Sequence, residues 1–181
     1  MRFASSGGDR DMRIYIGCDD SGFAMKQVIM DLLDNKKIPF IDCGSGPEPS
    51  RYPYYAAKVA AAVSEGEAST GILICGSGIG MSIAANKYPG VRAAAVSDSY
   101  TAYLTRRHND AYVLCLGGRM LGKWAVMEIV ETWLNTAYGG GHHQRSLDLI
   151  KELETVNMSG SGWCPEEIPY LPFQWDPMMK L

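Results

Sequence analysis

The chain has 181 residues, 46% of them hydrophobic and 20% charged, enough for one self-supporting core without staples. A formal net charge of -3 argues against a nucleic-acid partner, whose phosphates call for a basic face. No apolar run approaches the ~20 residues of a membrane span, and five cysteines without a CxxC pair read as free thiols in a reducing cytoplasm.

The first eleven residues, MRFASSGGDRD, lack the apolar stretch of a signal peptide and are expected to be a flexible leader (1–11). From there the chain alternates short apolar runs with amphipathic ones. RIYIGC (13–18) reads as a strand, and GFAMKQVIMDLLDNK (22–36) as a helix with Phe23, Met25, Val28, Ile29, Leu32 and Leu33 on one stripe. IPFIDC (38–43) is a second strand, and YPYYAAKVAAAVSEG (52–66) a helix with Pro53 in its first turn, where proline is tolerated. TGILIC (70–75) is too apolar to alternate and should be buried on both faces. A short helix (79–87), a strand (90–97), a helix (99–109), a strand (111–117), a long helix (122–138) and a last helix (143–156) follow. This alternation implies an α/β fold with a five-stranded parallel sheet between helix layers and right-handed crossovers, spanning 12–157. The tail, 158–181, holds four prolines and four large aromatics. It is expected to be a strap packed on its own subunit or a neighbour, the alternative being that Trp163, Tyr170, Phe173 or Trp175 helps to roof a site.

The chemistry concentrates in GILICGSGIGMSIAANK, 71–87. Ligands of open parallel sheets bind outside the carboxyl ends of strands, and Cys75 stands at such an end. Gly76, Ser77, Gly78, Ile79 and Gly80 then present backbone N–H groups at a helix N-terminus, where anions are welcome and a backbone without Cβ atoms can be approached closely. The same partial positive charge favours thiolate over thiol at Cys75. A base beside an oxyanion cradle suits proton transfer next to a carbonyl. Two other readings stand beside this one: a buried structural cysteine in a tight turn, and a nucleotide-phosphate loop. The second lacks the Lys-Ser/Thr of a P-loop and follows the third strand rather than the first.

The segments MRIYIGCDDSGFAMK, DCGS, RYPYYAAKVA, GILICGSGIGMSIAANKYPGVRAA, LTRRHNDAYVLCLGGRMLG and GHHQR together resemble the ribose-5-phosphate isomerase B / galactose-6-phosphate isomerase family, over about residues 12–150. The resemblance implies a Rossmann-like three-layer α/β/α sandwich and a homodimer, possibly a tetramer, whose active site lies between two subunits. It implies aldose–ketose isomerisation of a sugar phosphate through an enediolate, with no cofactor and no metal. By the same resemblance Cys75 is the catalytic base, and Ser77 with the N–H groups of residues 76–80 holds the enediolate oxygens. His108 opens the sugar ring, Asn109 lies near the sugar, Asp19 contacts sugar hydroxyls, and Arg119 stands at the phosphate end. The bland alternatives are a helix cap for Asp19, an ion pair for Arg119 and a capping histidine at 108. Arg106 and Arg107 are expected on a solvated face.

Three departures fall at the phosphate end. The family's Asp-His after the first strand is Asp19-Asp20 here, and its two arginines in the GGRHQQR segment become His142 and Ser146, with Arg145 one place away. Arginine grips phosphate with paired charge-assisted hydrogen bonds, which neither histidine nor serine supplies. Asp20, His142 and Arg145 are therefore candidate ligand contacts with altered chemistry, and the expected substrate is ribose 5-phosphate or a tetrose or hexose relative. The alternative is a non-catalytic sugar or sugar-phosphate sensor on the same fold.

Overall fold

The computed structural model describes residues 13–157; the expected leader and the C-terminal strap lie outside the described residues. The elements run β1 (Ile14–Cys18), α1 (Phe23–Asn35), β2 (Phe40–Asp42), α2 (Tyr52–Ser64), β3 (Thr70–Cys75), α3 (Ile79–Ala85), β4 (Ala93–Ala95), α4 (Ser99–Arg107), β5 (Val113–Gly117), α5 (Lys123–Asn135) and α6 (His142–Asn157). A 3₁₀ turn, Asp20–Gly22, leads into α1. The strands form one parallel sheet in the order β2-β1-β3-β5-β4. The chain winds outward in one direction from β1 and in the other from β3, so the crevice between their carboxyl ends is the switch point where such sheets take ligands.

Residue alternation along β3 builds the two cores. Ile72 and Ile74 join Ile16, Leu114 and Leu116 against Ile29 and Leu33 of α1 and Val126, Ile129 and Trp133 of α5. Leu73 and Cys75 face the opposite side, among Val59 and the alanines of α2 and Met81 of α3. Each face is covered by helices, which is why the strand carries no polar residue beyond Thr70 at its start. The edge strands β2 and β4 are shorter than expected, at 40–42 and 93–95 rather than 38–43 and 90–97. Each has a neighbour on one side only, and single bonds such as Ile14 N–H to Pro39 O and Val96 N–H to Cys115 O carry on where the ladder ends. No helix among the described residues is long and apolar enough to cross a membrane.

The apolar stripe of α1 contains one charge. Lys26 stands three residues before Ile29 and seven before Leu33, on the buried face, and is 1% exposed. Its ammonium donates to both carboxylate oxygens of Asp42, at 2.8 and 2.9 Å, and to the carbonyls of Gly44 and Ser45, at 3.1 and 3.0 Å. A buried cation requires such partners, and here they come from the last residue of β2 and the loop that follows it. That loop reaches the switch point: Ser50 N–H donates to the Asp20 carboxylate at 3.1 Å, and Asp20 N–H to Ser50 Oγ at 3.2 Å. Asp42→Asn is expected to cost about 3 kcal/mol, because it strands the buried charge, whereas Lys26→Met leaves behind a carboxylate that water reaches and costs less. Urea unfolding of the two variants checks the order.

Candidate active site

Cys75 ends β3 and is 5% exposed, with exposed Ser77 two residues on. The Gly78 N–H points at its sulfur, 3.2 Å from Sγ. That geometry requires Gly78 at φ 79, and a Cβ there would come within 2.9 Å of the Leu116 backbone, so only glycine fits. Ile79 N–H leans on Ser77 Oγ at 3.4 Å. The cradle is therefore narrower than the sequence suggests, since Gly78 addresses the sulfur rather than a ligand. Beyond the strand ends, Gly118 N–H donates to Cys75 O at 2.7 Å and Arg119 N–H to Gly76 O at 3.1 Å. A side chain at Gly76 would meet Ser21 Oγ at 3.5 Å and Arg119 Cδ at 3.7 Å, so those three residues share one surface.

Asp19 lies across the crevice, 8% exposed, its Oδ1 accepting from Ser21 Oγ at 2.6 Å and Gly22 N–H at 3.1 Å. It caps the 3₁₀ turn and faces the switch point at the same time. Burial pushes its carboxyl above the ordinary aspartate range; the Ser21 bond opposes that shift and Asp20 adds to it. Gly22 holds the turn against β3, where a Cβ would come within 2.5 Å of Ile74 O. Asp20 is turned toward Ser50 and the loop after β2, so the carboxylate expected at the phosphate end is held by a backbone N–H.

The remaining candidates sit elsewhere. His108 is the C-cap of α4, and the chain then passes Ala111 into the start of β5. Gly139 N–H donates to Arg107 O at 2.8 Å, which brings the start of α6 beside it. There the His108 ring stacks on His143, centroids 4.2 Å apart and 18° from parallel, and His143 meets His142 at 3.9 Å. Partial desolvation pushes the His143 imidazole below its ordinary range, helped by His142, His108 and Arg107. His142 and Arg145 are exposed on α6, three residues apart and therefore about 60° apart around the helix, with Ser146 on the other flank. Asn109 is exposed beside His108. Arg106, expected on a solvated face, is instead mostly buried: it pairs with Asp110 at 3.2 Å, lies over the Trp133 ring, and its side chain is 14% exposed.

The candidates thus fall into two groups. Asp19, Asp20, Cys75, Gly76, Ser77, Gly78, Ile79, Gly80 and Arg119 stand at the carboxyl edge of the sheet, and His108, Asn109, His142 and Arg145 at the amino edge. The register Gly71–Val113 to Cys75–Gly117 places four residue steps, ~13 Å, between the edges. One copy of the chain does not bring Cys75 and His108 together. Sequence reasoning missed Lys26, Ser50 and the Arg92–Asp110–Arg106 cluster. The first was findable, since a lysine on the apolar stripe of a helix is the signature of a buried charge seeking a partner.

A thiol and a glycine loop at the switch point of a doubly wound parallel sheet mark an α/β sandwich that handles a small ligand at its strand ends. The chain belongs to the Ribose/Galactose Isomerase family, whose sequence profile matches residues 14–150. It is 45% identical over 143 residues to ribose-5-phosphate isomerase B of Escherichia coli, covering 78% of this chain and 96% of that one. It is 39% identical over 132 residues to D-erythrulose-4-phosphate isomerase of Pectobacterium atrosepticum, covering 72% and 87%. Its fold superposes on ribose-5-phosphate isomerase B of Clostridium thermocellum with a TM-score of 0.79 at 45% identity, covering 80% of this chain and 99% of that one. The Mycoplasma genitalium enzyme with bound ribulose-5-phosphate gives 0.77 at 36% identity, covering 81% and 99%. The expected family, the Rossmann-like fold and the class of activity, an aldose–ketose isomerase of sugar phosphates, all stand.

Two outcomes follow from this geometry. Gly78→Ala is expected to lower turnover at least about 100-fold, by turning the N–H away from Cys75 and forcing the loop off Leu116, read in a steady-state assay. The depressed His143 binds fewer protons in the folded protein than in the unfolded chain near the histidine range. Its contribution to stability is therefore complete above the ordinary value of 6.5 and is lost as pH falls below it. Urea midpoints should drop between about pH 7 and pH 5, and His143→Asn should flatten part of that slope.

Proposed function

We propose that the chain interconverts ribose 5-phosphate and ribulose 5-phosphate at a site assembled from two copies of itself, with Cys75 as the base. The carrying observation is the Cys75 sulfur at the switch point with the Gly78 N–H aimed at it. In the open-chain aldose, Cys75 removes the C2 proton. The C–H electron pair becomes the C1–C2 double bond, and the carbonyl π electrons move to O1, giving an enediolate. The proton on O2 then passes to O1, and as the O2 electron pair forms the ketose carbonyl, the C1–C2 π electrons take the thiol's proton onto C1, leaving O1 a hydroxyl and Cys75 a thiolate again. The Ser77 hydroxyl and the neighbouring loop N–H groups hold the oxygen on which charge develops, a term worth about 3 kcal/mol per donor at such centres.

His108 is assigned to ring opening, exchanging protons with the ring oxygen and the C1 hydroxyl, and Asn109 to orienting the sugar. Both reach the thiol from a second copy, because their own Cys75 lies at the opposite edge of the sheet. Asp19 receives sugar hydroxyls. The phosphate lies toward Arg119 on one side and toward His142 and Arg145 of the second copy on the other. With Asp20 held by Ser50 N–H, its charge bears on the phosphate less than the sequence implies. A four-carbon substrate is the second reading, supported by the similarity to an erythrulose-4-phosphate isomerase. The free thiols at Cys18, Cys43, Cys75 and Cys115 suit a reducing cytoplasm.

The test is complementation. Cys75→Ala should abolish turnover of ribose 5-phosphate, and His108→Ala should lower it about 100-fold. Unfolding and refolding the two together should restore about a quarter of the wild-type rate, since random pairing makes half the dimers mixed and each mixed dimer has one intact site of two. No recovery above the sum of the separate variants would place both residues in one subunit's site and overturn the shared arrangement. A panel of four- to six-carbon aldose phosphates fixes the substrate.

A further inference from the structure

Asp110, two residues past His108, stands at φ 43, a backbone conformation that L side chains rarely adopt. Its carboxylate is held by two guanidinium groups from different parts of the chain. Arg92, from the approach to β4, donates through Nη2 to Oδ2 at 2.9 Å, and Arg106 of α4 donates through Nη1 to Oδ1 at 3.2 Å. The same two groups also take three successive carbonyls of the turn. Arg92 Nε donates to Asn109 O at 3.0 Å and Asp110 O at 3.1 Å, and Arg106 Nη1 donates to Ala111 O at 3.1 Å. Each arginine is backed by an aromatic ring: Arg92 lies over Tyr112 at 4.5 Å, and Arg106 over Trp133 at 5.4 Å.

This is more than a helix needs in order to stop. An Asn or Gly at the left-handed position after α4 would end it without charge. Instead two guanidiniums are drawn into a half-buried site at a desolvation cost, and burial pushes Arg106 down while Asp110 opposes the shift. What they secure is the turn that carries His108 and Asn109. The His143 stack steadies the His108 ring from the other side.

We infer that Asp110 is a positioning residue: clamped by Arg92 and Arg106, it fixes the His108–Asn109 turn in the one register from which His108 reaches the sugar ring. The inference rests on the ring-opening role proposed for His108, and the test separates the two. Ribose 5-phosphate is a closed ring in solution and must be opened. Ribulose 5-phosphate is open, because its carbonyl is at C2 and the hydroxyl that would close a five-membered ring carries the phosphate. Exchange of its C1 proton with D₂O therefore needs the Cys75 chemistry and no ring opening.

Asp110→Asn keeps the size of the side chain and its tolerance of positive φ while removing the charge. It is expected to lower kcat on ribose 5-phosphate about tenfold or more, with C1 exchange on ribulose 5-phosphate within about twofold of wild type. His108→Ala is the reference: it should show the same split, more strongly. If His108→Ala slows both measurements equally, the ring-opening assignment fails and the inference fails with it. If His108→Ala shows the split and Asp110→Asn shows none, or loses both activities together, the positioning role alone is overturned. Should Asp110→Asn not fold, Arg92→Gln removes one arm of the clamp and is held to the same split, and an equal loss on both measurements overturns the inference in the same way.

Discussion

The backbone contact between β3 and β5 does not stop where their ladder ends. Cys75 O receives Gly118 N–H, and Gly76 O receives Arg119 N–H. These bonds tie the loop that carries the thiol to the loop that carries Arg119, across the point where regular strands have given out. Around them the Asp19 turn closes the near side through Asp19 N–H to Ile74 O, and the α3 N-terminus closes the far side. Fixed backbone donors and acceptors cost no reorganisation when charge develops between them. The precision of the site is thus inherited from the most buried pair of strands in the molecule.

The same sheet that positions one group of candidate residues holds the other group apart. Parallel βα units put every strand-to-helix loop at one edge and every helix-to-strand loop at the other. Cys75 belongs to the first kind and His108 to the second. Each is braced: the first through the β3–β5 pairing, the second through the arginine clamp and the histidine stack. Where both halves serve one reaction, as proposed, the length of a strand between them means that they meet by apposition of separate molecules. In that reading, association precedes catalysis and does not merely modulate it.

Most of this was legible in the sequence, for physical reasons. The alternation of apolar runs and helical stripes fixed the order of all eleven elements, because a buried parallel sheet leaves few other ways to hide TGILIC and AYVLCLG. The glycines of GSGIG pointed to a close backbone approach, and Gly78 at φ 79 against Leu116 is that approach. The side-chain partners of charged residues were not legible. Asp20 and Arg106 read as ligand contact and solvated surface, yet their partners, Ser50 and Asp110, are set by loop conformations that no periodicity encodes. The edge-to-edge separation of Cys75 and His108 was implicit in the βα order, and it becomes explicit only when register is known.

The ammonium of Lys26 ties the backbone of residues 44–45 to the hydrophobic interior. Through Ser45 Oγ and Ser50 Oγ, 3.1 Å apart, that tether reaches the wall of the crevice at Asp20. A loop moored in this way cannot swing outward without stripping a buried cation of its partners. Admission of the sugar therefore falls to the other walls, and this one behaves as a fixed jamb rather than a door.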